Sequence, residues 1–171
     1  MSHQQPLRQR FIADPFEFAR RGDELAGELD ARELSRVAEM LWSVQAAQPV
    51  RYVLSGTHVD GKGYLSIDID AVLVMQCQRC LGDVECRPQA HSRLMLVRRG
   101  EPLPDEDLEH DDFDPVHAGR DFDVLEAVEE ELLLALPLAP AHDACSLPGA
   151  GNDGAEGSPF AVLKGLKLKG A

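Results

Sequence analysis

Between Val50 and Met75 the apolar residues recur at every second position, and that alternation restricts the chain to a sheet with one buried face. Val50, Tyr52 and Leu54 alternate first, and the turn Asp60-Gly61-Lys62-Gly63 follows. Leu65, Ile67, Ile69, Ala71, Leu73 and Met75 then fall on one side, with Ser66, Asp68 and Asp70 on the other. An Asp-Gly turn between two such runs predicts an antiparallel hairpin or meander with one wet face. A third strand segment, from about Asp83 to Arg99, is interrupted by Pro88, which offers no amide hydrogen to a ladder and suits an edge or a bulge.

Helices flank this sheet region. Asp14 is placed to cap a short helix that has Pro15 at its first position, Glu17 in its first turn and Gly22 as its stop. Asp30 and Glu33 repeat the capping device before a stripe of Leu34, Val37, Ala38 and Leu41, so the N-terminal third reads as helical. Asp123 and Glu126 open the longest helix, with Leu125, Val128, Leu132 and Leu136 on its buried side and Pro137 at its end. Ser158 and Pro159 start a short terminal helix with Phe160, Leu163 and Leu166 on one face and lysines on the other. The expectation is an α+β fold, an antiparallel β-meander or partly open barrel flanked by short helices. Residues 1–171 are read as one domain with a mobile acidic loop at about 101–120 and a Gly-rich linker at about 146–157.

The net charge of −13 is local. Between Glu101 and Glu131 stand fourteen acidic residues and one basic residue, Arg120, while the rest of the chain is balanced. Residues 71–100 carry Arg79, Arg87, Arg93, Arg98 and Arg99 against Asp83 and Glu85. The longest apolar run, Leu132 to Ala141, is too short to span a bilayer and holds two prolines. The first residues lack the apolar core of a signal peptide. A soluble cytoplasmic protein is expected, and in that compartment four cysteines are thiols or metal ligands rather than disulfides.

Cys77 and Cys80 stand at C-x-x-C spacing inside strand-like sequence. A redox pair of this spacing needs its first thiol at a helix N-terminus, which argues against that chemistry. Two readings remain: a metal knuckle, or small side chains packed as apolar residues. A structural zinc takes four ligands, and a lone C-x-x-C supplies two. Cys86 is a poor third, since six extended residues carry it about 20 Å from Cys80. His142 and Cys145, spaced H-x-x-C after the long helix, are the better second half.

No nucleophile elbow, phosphate loop, dinucleotide fingerprint or zinc-protease helix occurs, and His58, His91 and His117 lie near no nucleophile signature. Asp68 and Asp70 are outward strand residues, and Glu129, Glu130 and Glu131, being consecutive, spread around a helix instead of converging. No enzyme and no small-molecule substrate are expected.

Three blocks together, Cys77 to Val84, Asp123 to Cys145 and Ser158 to Lys167, resemble the signature blocks of the YceD family, the large ribosomal RNA subunit accumulation proteins. Order and spacing agree from about Val50 to the C-terminus. The resemblance implies a non-enzymatic factor in large ribosomal subunit biogenesis, supporting 23S rRNA synthesis, processing or accumulation. It also matches Cys77, Cys80, His142 and Cys145 to family positions, and Pro159, Phe160, Leu163 and Lys167 to the terminal motif.

Under that reading the partner is 23S rRNA or its precursor, met by Arg79, Arg87, Arg93, Arg98, Arg99, Lys164 and Lys167. Of these, Arg79, Arg87, Arg93 and Arg99 share a strand face if Pro88 causes no bulge. Two tyrosines and one tryptophan leave little for base stacking. The acidic segment is suited to hold a basic large-subunit ribosomal protein. An alternative of another class is a zinc-knuckle interaction adaptor without RNA contact. The terminal helix either closes the core or docks a partner.

Overall fold

A computed structural model describes residues 10–104 and 112–148. The described residues open on a two-residue strand, β1 (Phe11–Ile12), and a helix, α1 (Pro15–Arg21). The Asp14 carboxylate accepts from the Phe16 and Glu17 amides at 3.0 Å each, and Gly22 ends the helix at φ 68°. Next come β2 (Glu24–Leu29), a 3₁₀ turn over Ala31–Glu33 with a complete Asp30/Glu33 capping box, and α2 (Ser35–Met40). Then β3 (Val50–Val59) and β4 (Lys62–Asp70) form the expected hairpin, with Asp60 and Gly61 both at positive φ as a primed turn requires. The remaining elements are β5 (Leu73–Gln76), β6 (Asp83–Cys86), β7 (Gln89–Arg98), β8 (Asp114–Ala118), β9 (Phe122–Asp123) and α3 (Val124–Ala135).

Five strands make the main sheet in the order β2-β3-β4-β7-β8, antiparallel except for the parallel β7–β8 pair. Two small ribbons, β1-β9 and β5-β6, stand outside it. The fold is α+β with an open, mostly antiparallel sheet and short helices, as expected; β2 and β8 end the sheet without pairing to each other.

One face of the sheet carries the core. Leu54, Leu65 and Ile67 on the sheet and Val128 and Leu132 on α3 are fully buried in a cluster that extends to Leu73, Met75 and Cys77. Each such aliphatic side chain removed from water contributes about 1.5–3 kcal/mol. Helix α1 approaches the sheet so closely at Gly56 that a Cβ there would stand 2.7 Å from the Ala19 Cα. Helix α2 has no side-chain cap of its own; instead Glu129 of α3, 5% exposed, accepts from the Arg36 amide at 2.7 Å and from Arg36 Nε at 2.8 Å. Glu130 is exposed and Glu131 half-buried, so the three consecutive carboxylates do diverge. On the opposite sheet face Tyr64, Met95 and Val97 form a smaller cluster under Phe113.

Three expectations need correction. Residues 24–29 are a strand, β2, within what reads as a helical N-terminal third. The stripe from Leu34 to Leu41 reaches only Met40 as helix, since Leu41 is already extended. Strand β8 lies in the acidic stretch read as loop, held by pairing with β7. The terminal helix from Ser158, the larger part of the Gly-rich linker, and Lys164 and Lys167 lie outside the described residues.

Candidate metal centre

The hairpin of β5 and β6 closes with Gln76 opposite Asp83, leaving residues 77–82 to turn the chain. The turn is fixed by its backbone: the Cys77 amide donates to the Gly82 carbonyl at 2.8 Å, and the Leu81 amide to the Cys77 carbonyl at 2.9 Å. This fold-back aims the Arg79 and Cys80 amides at the Cys77 sulfur, at 3.4 and 3.5 Å. Amides pointing at a sulfur stabilise its charged form. The Cys80 amide is the chief cause that brings the Cys77 thiol down to about 5, against the opposing effect of burial.

The second half arrives from α3. The helix ends at Ala135, Leu136 is extended, and the Gln78 amide donates to the Pro140 carbonyl at 2.8 Å, joining the following loop to the knuckle. That junction places His142 Nδ1 3.4 Å from Cys80 Sγ, and Cys145 Sγ 3.8 Å from Cys77 Sγ. Arg79 Nη1 donates to the His142 carbonyl at 3.4 Å. The ligand atoms of Cys77, Cys80, His142 and Cys145 all lie within 4.8 Å of one another. Cys77 is fully buried and the other three are half-buried.

This spacing fits a four-coordinate metal ion. With sulfur bonds of about 2.3 Å and a nitrogen bond of about 2.0 Å, a tetrahedral site has S–S edges near 3.8 Å and S–N edges near 3.5 Å. The two measured separations sit on those edges, and 3.8 Å is far outside disulfide bonding, about 2.05 Å. Burial, together with the hydrogen bond to Cys77, pushes the Cys145 thiol upward, so a proton sits where a cation would replace it. Cys77 belongs to the apolar core and Cys80 and Cys145 pack against it, and the His142 ring beside them completes a set of four atoms that could hold a metal ion. Cys86 takes no part: it pairs with Leu73 at the far end of the hairpin, and burial raises its thiol.

The arginines do not share one face. Arg79 is in the knuckle, while Arg87 follows β6 and pairs with Glu85 at 2.8 Å. Arg93 stacks over Tyr64, 4.3 Å from the ring centre, on the outer sheet face. Arg98 stacks over Phe16 at 4.5 Å on the core side, since its position in β7 has opposite parity to Arg93. Arg99 lies beyond β7, against Gly119. The shared face required an unbroken strand, and Pro88 sits in the gap that sends β6 and β7 into different sheets.

One feature of this end escaped the sequence reading. Leu81 in the knuckle, Leu134 near the end of α3, and Leu138 and Leu147 on either side of the His142–Cys145 pair are all exposed. Leu134 lies off the α3 stripe of Leu125, Val128, Leu132 and Leu136, and Leu138 follows the end of the helix at Ala135.

The model of the family described as large ribosomal RNA subunit accumulation protein YceD matches residues 65–167, more than half of the chain and including Cys77, Cys80, His142 and Cys145. This chain belongs to the YceD family. A curated YceD relative from Haemophilus influenzae, named large ribosomal RNA subunit accumulation protein, is 29% identical over 184 residues, covering 96% of this chain and 99% of its own length. No solved structure matches. No helix among the described residues is long and apolar enough to cross a membrane.

Proposed function

We propose that this chain is a non-enzymatic factor of large ribosomal subunit biogenesis that supports 23S rRNA synthesis, processing or accumulation. The observation that carries the reading is membership of a family described by large-subunit rRNA accumulation, across a match that contains the whole Cys₃His cluster. In this reading the cluster holds zinc through Cys77, Cys80, His142 and Cys145. A zinc ion with four protein ligands has no open position, so what it supplies is cross-linking rather than catalysis. It ties the β5–β6 hairpin to the loop after α3.

The partners follow from charge. Arg79, Arg93 and Arg98 present guanidinium groups at separate places on the described surface, which suits phosphate contacts at several points of a folded RNA. Lys164 and Lys167 add to them from the terminal segment. A basic large-subunit ribosomal protein is the matching partner for the acidic segment, and the cytoplasm is the compartment in which both occur.

The test is deletion of the gene followed by complementation. Loss of the chain lowers 23S relative to 16S rRNA, and wild-type protein restores the ratio. An unchanged ratio in the deletion strain overturns the proposal. Crosslinking and sequencing of bound RNA then separates direct contact, read as a discrete 23S segment, from the adaptor alternative, read as ribosomal protein recovered without RNA.

A further inference from the structure

Single exposed leucines are ordinary on a protein surface, but four carried by the segments that meet at one Cys₃His cluster offer a contact surface. Leu138 is 105% exposed, Leu134 81%, Leu147 61% and Leu81 52%. Three are placed by the contacts of the Cys₃His end, and Leu134 stands in the last turn of the helix that leads there. Leu81 follows Cys80, Leu138 precedes the Pro140 that receives the Gln78 amide, and Leu147 follows the Cys145 that meets Cys77. Leu81 carries an independent mark. Its φ is +62°, a left-handed conformation that glycine adopts freely and that strains a leucine. Strain held at an exposed apolar residue points to a use for the side chain.

The described chain runs out at this place. Pro148 stands three residues beyond Cys145, and residues 149–171 follow it. Within them the sequence spaces Phe160, Leu163 and Leu166 as the apolar stripe expected of a helix starting at Ser158 and Pro159. A tether of about ten residues has a root-mean-square reach of roughly 17–19 Å, enough to return to the rim beside which it begins. Tethering also gives the segment a millimolar effective concentration at the rim, well above that of a second copy at ordinary protein concentrations.

We propose that residues 158–168 dock on the metal end of their own chain, with Phe160, Leu163 and Leu166 covering Leu81, Leu134, Leu138 and Leu147. The docking is independent of any RNA role, and so is its test. Thermal unfolding of the full-length, metal-loaded protein is compared for wild type, Leu138→Asp, a truncation after Gly157, and both changes together. Docking predicts that Leu138→Asp and the truncation each lower Tm by roughly 3–6 °C. In the truncated chain, Leu138→Asp then has no further effect, because the contact is already gone. Additive losses, or an unchanged Tm for Leu138→Asp in the full chain, overturn the proposal. A benzoylphenylalanine placed at position 138 keeps the question answerable if the aspartate variant fails to fold. Photo-crosslinks to residues 158–168 of the same chain, with a yield independent of protein concentration, support docking. Crosslinks between chains, or to another segment, overturn it.

Discussion

Around Ile67 the chain is held by bulk: three neighbouring strands and α3 bury one aliphatic side chain after another, and no single residue carries the arrangement. Around Cys77 the chain is held by points. Two short strands, a turn and a loop meet through four side chains and a few amide bonds, and the surface there is apolar and exposed. The sheet is therefore expected to lose stability gradually as packing is trimmed, whereas with an ion in the proposed site the Cys77 end would be closed by its cluster or not closed at all. Both ends are continuous through Leu73, Met75 and Cys77, which belong to the main core.

Removing the metal should separate the two regions most sharply. Chelation, or Cys80→Ser, should abolish metal binding measured as one equivalent of zinc in the purified protein. Hydrogen exchange should rise across residues 77–82 and 138–147 while the amides of β3 and β4 stay protected. Equal loss of protection in both regions would show that the sheet depends on the metal, and would sink the comparison. Protons compete with the ion for the thiols. Thiols bind a cation as thiolates, so metal uptake near neutrality should release protons and affinity should rise with pH, readable with a pH indicator.

The next effect belongs to the sheet. Ile67 is fully buried, and Ile67→Ala should lower stability by about 2–5 kcal/mol in denaturant unfolding while leaving the metal stoichiometry intact. Loss of metal in that variant would instead join the two regions into one unit. The smallest effect tests the join of α3 to the sheet. Burial raises the Glu131 carboxyl, so the folded state disfavours its charge. An acid whose folded pKa is raised adds stability below its unfolded pKa and loses it as pH rises through the folded value. Glu131→Gln should therefore raise Tm slightly at pH 7 and leave it unchanged at pH 3. A fall at pH 7 would mean that the charge is used.

Much of the candidate site was legible because spacing does the selection. C-x-x-C and H-x-x-C are local patterns, and the rejection of Cys86 rests on chain length alone. The arginine face was not legible, since its parity argument needs one strand and the chain makes two in separate sheets. Strand β2 carries a period-two signal in Leu25, Gly27 and Leu29, but it is weak, short and flanked by two strong capping signals. Strand β8 has no local signal: Pro115 and three other polar or small residues surround Val116, and only parallel pairing with β7 makes it a strand.

The sequence by itself determined the elements whose cause lies within a few residues. These are the Asp14 and Asp123 caps, the Asp60-Gly61 turn, the wet and dry faces of β3 and β4, and the two halves of the Cys₃His cluster. Only the tertiary structure decided what depends on distant partners. It left the sheet open, put Arg93 and Arg98 on opposite faces, buried Glu129 as the cap of another helix, and left four leucines exposed around the joined half-sites. Local patterns act through short loops whose closure is cheap in entropy, while distant pairings are selected by the packing of the whole chain.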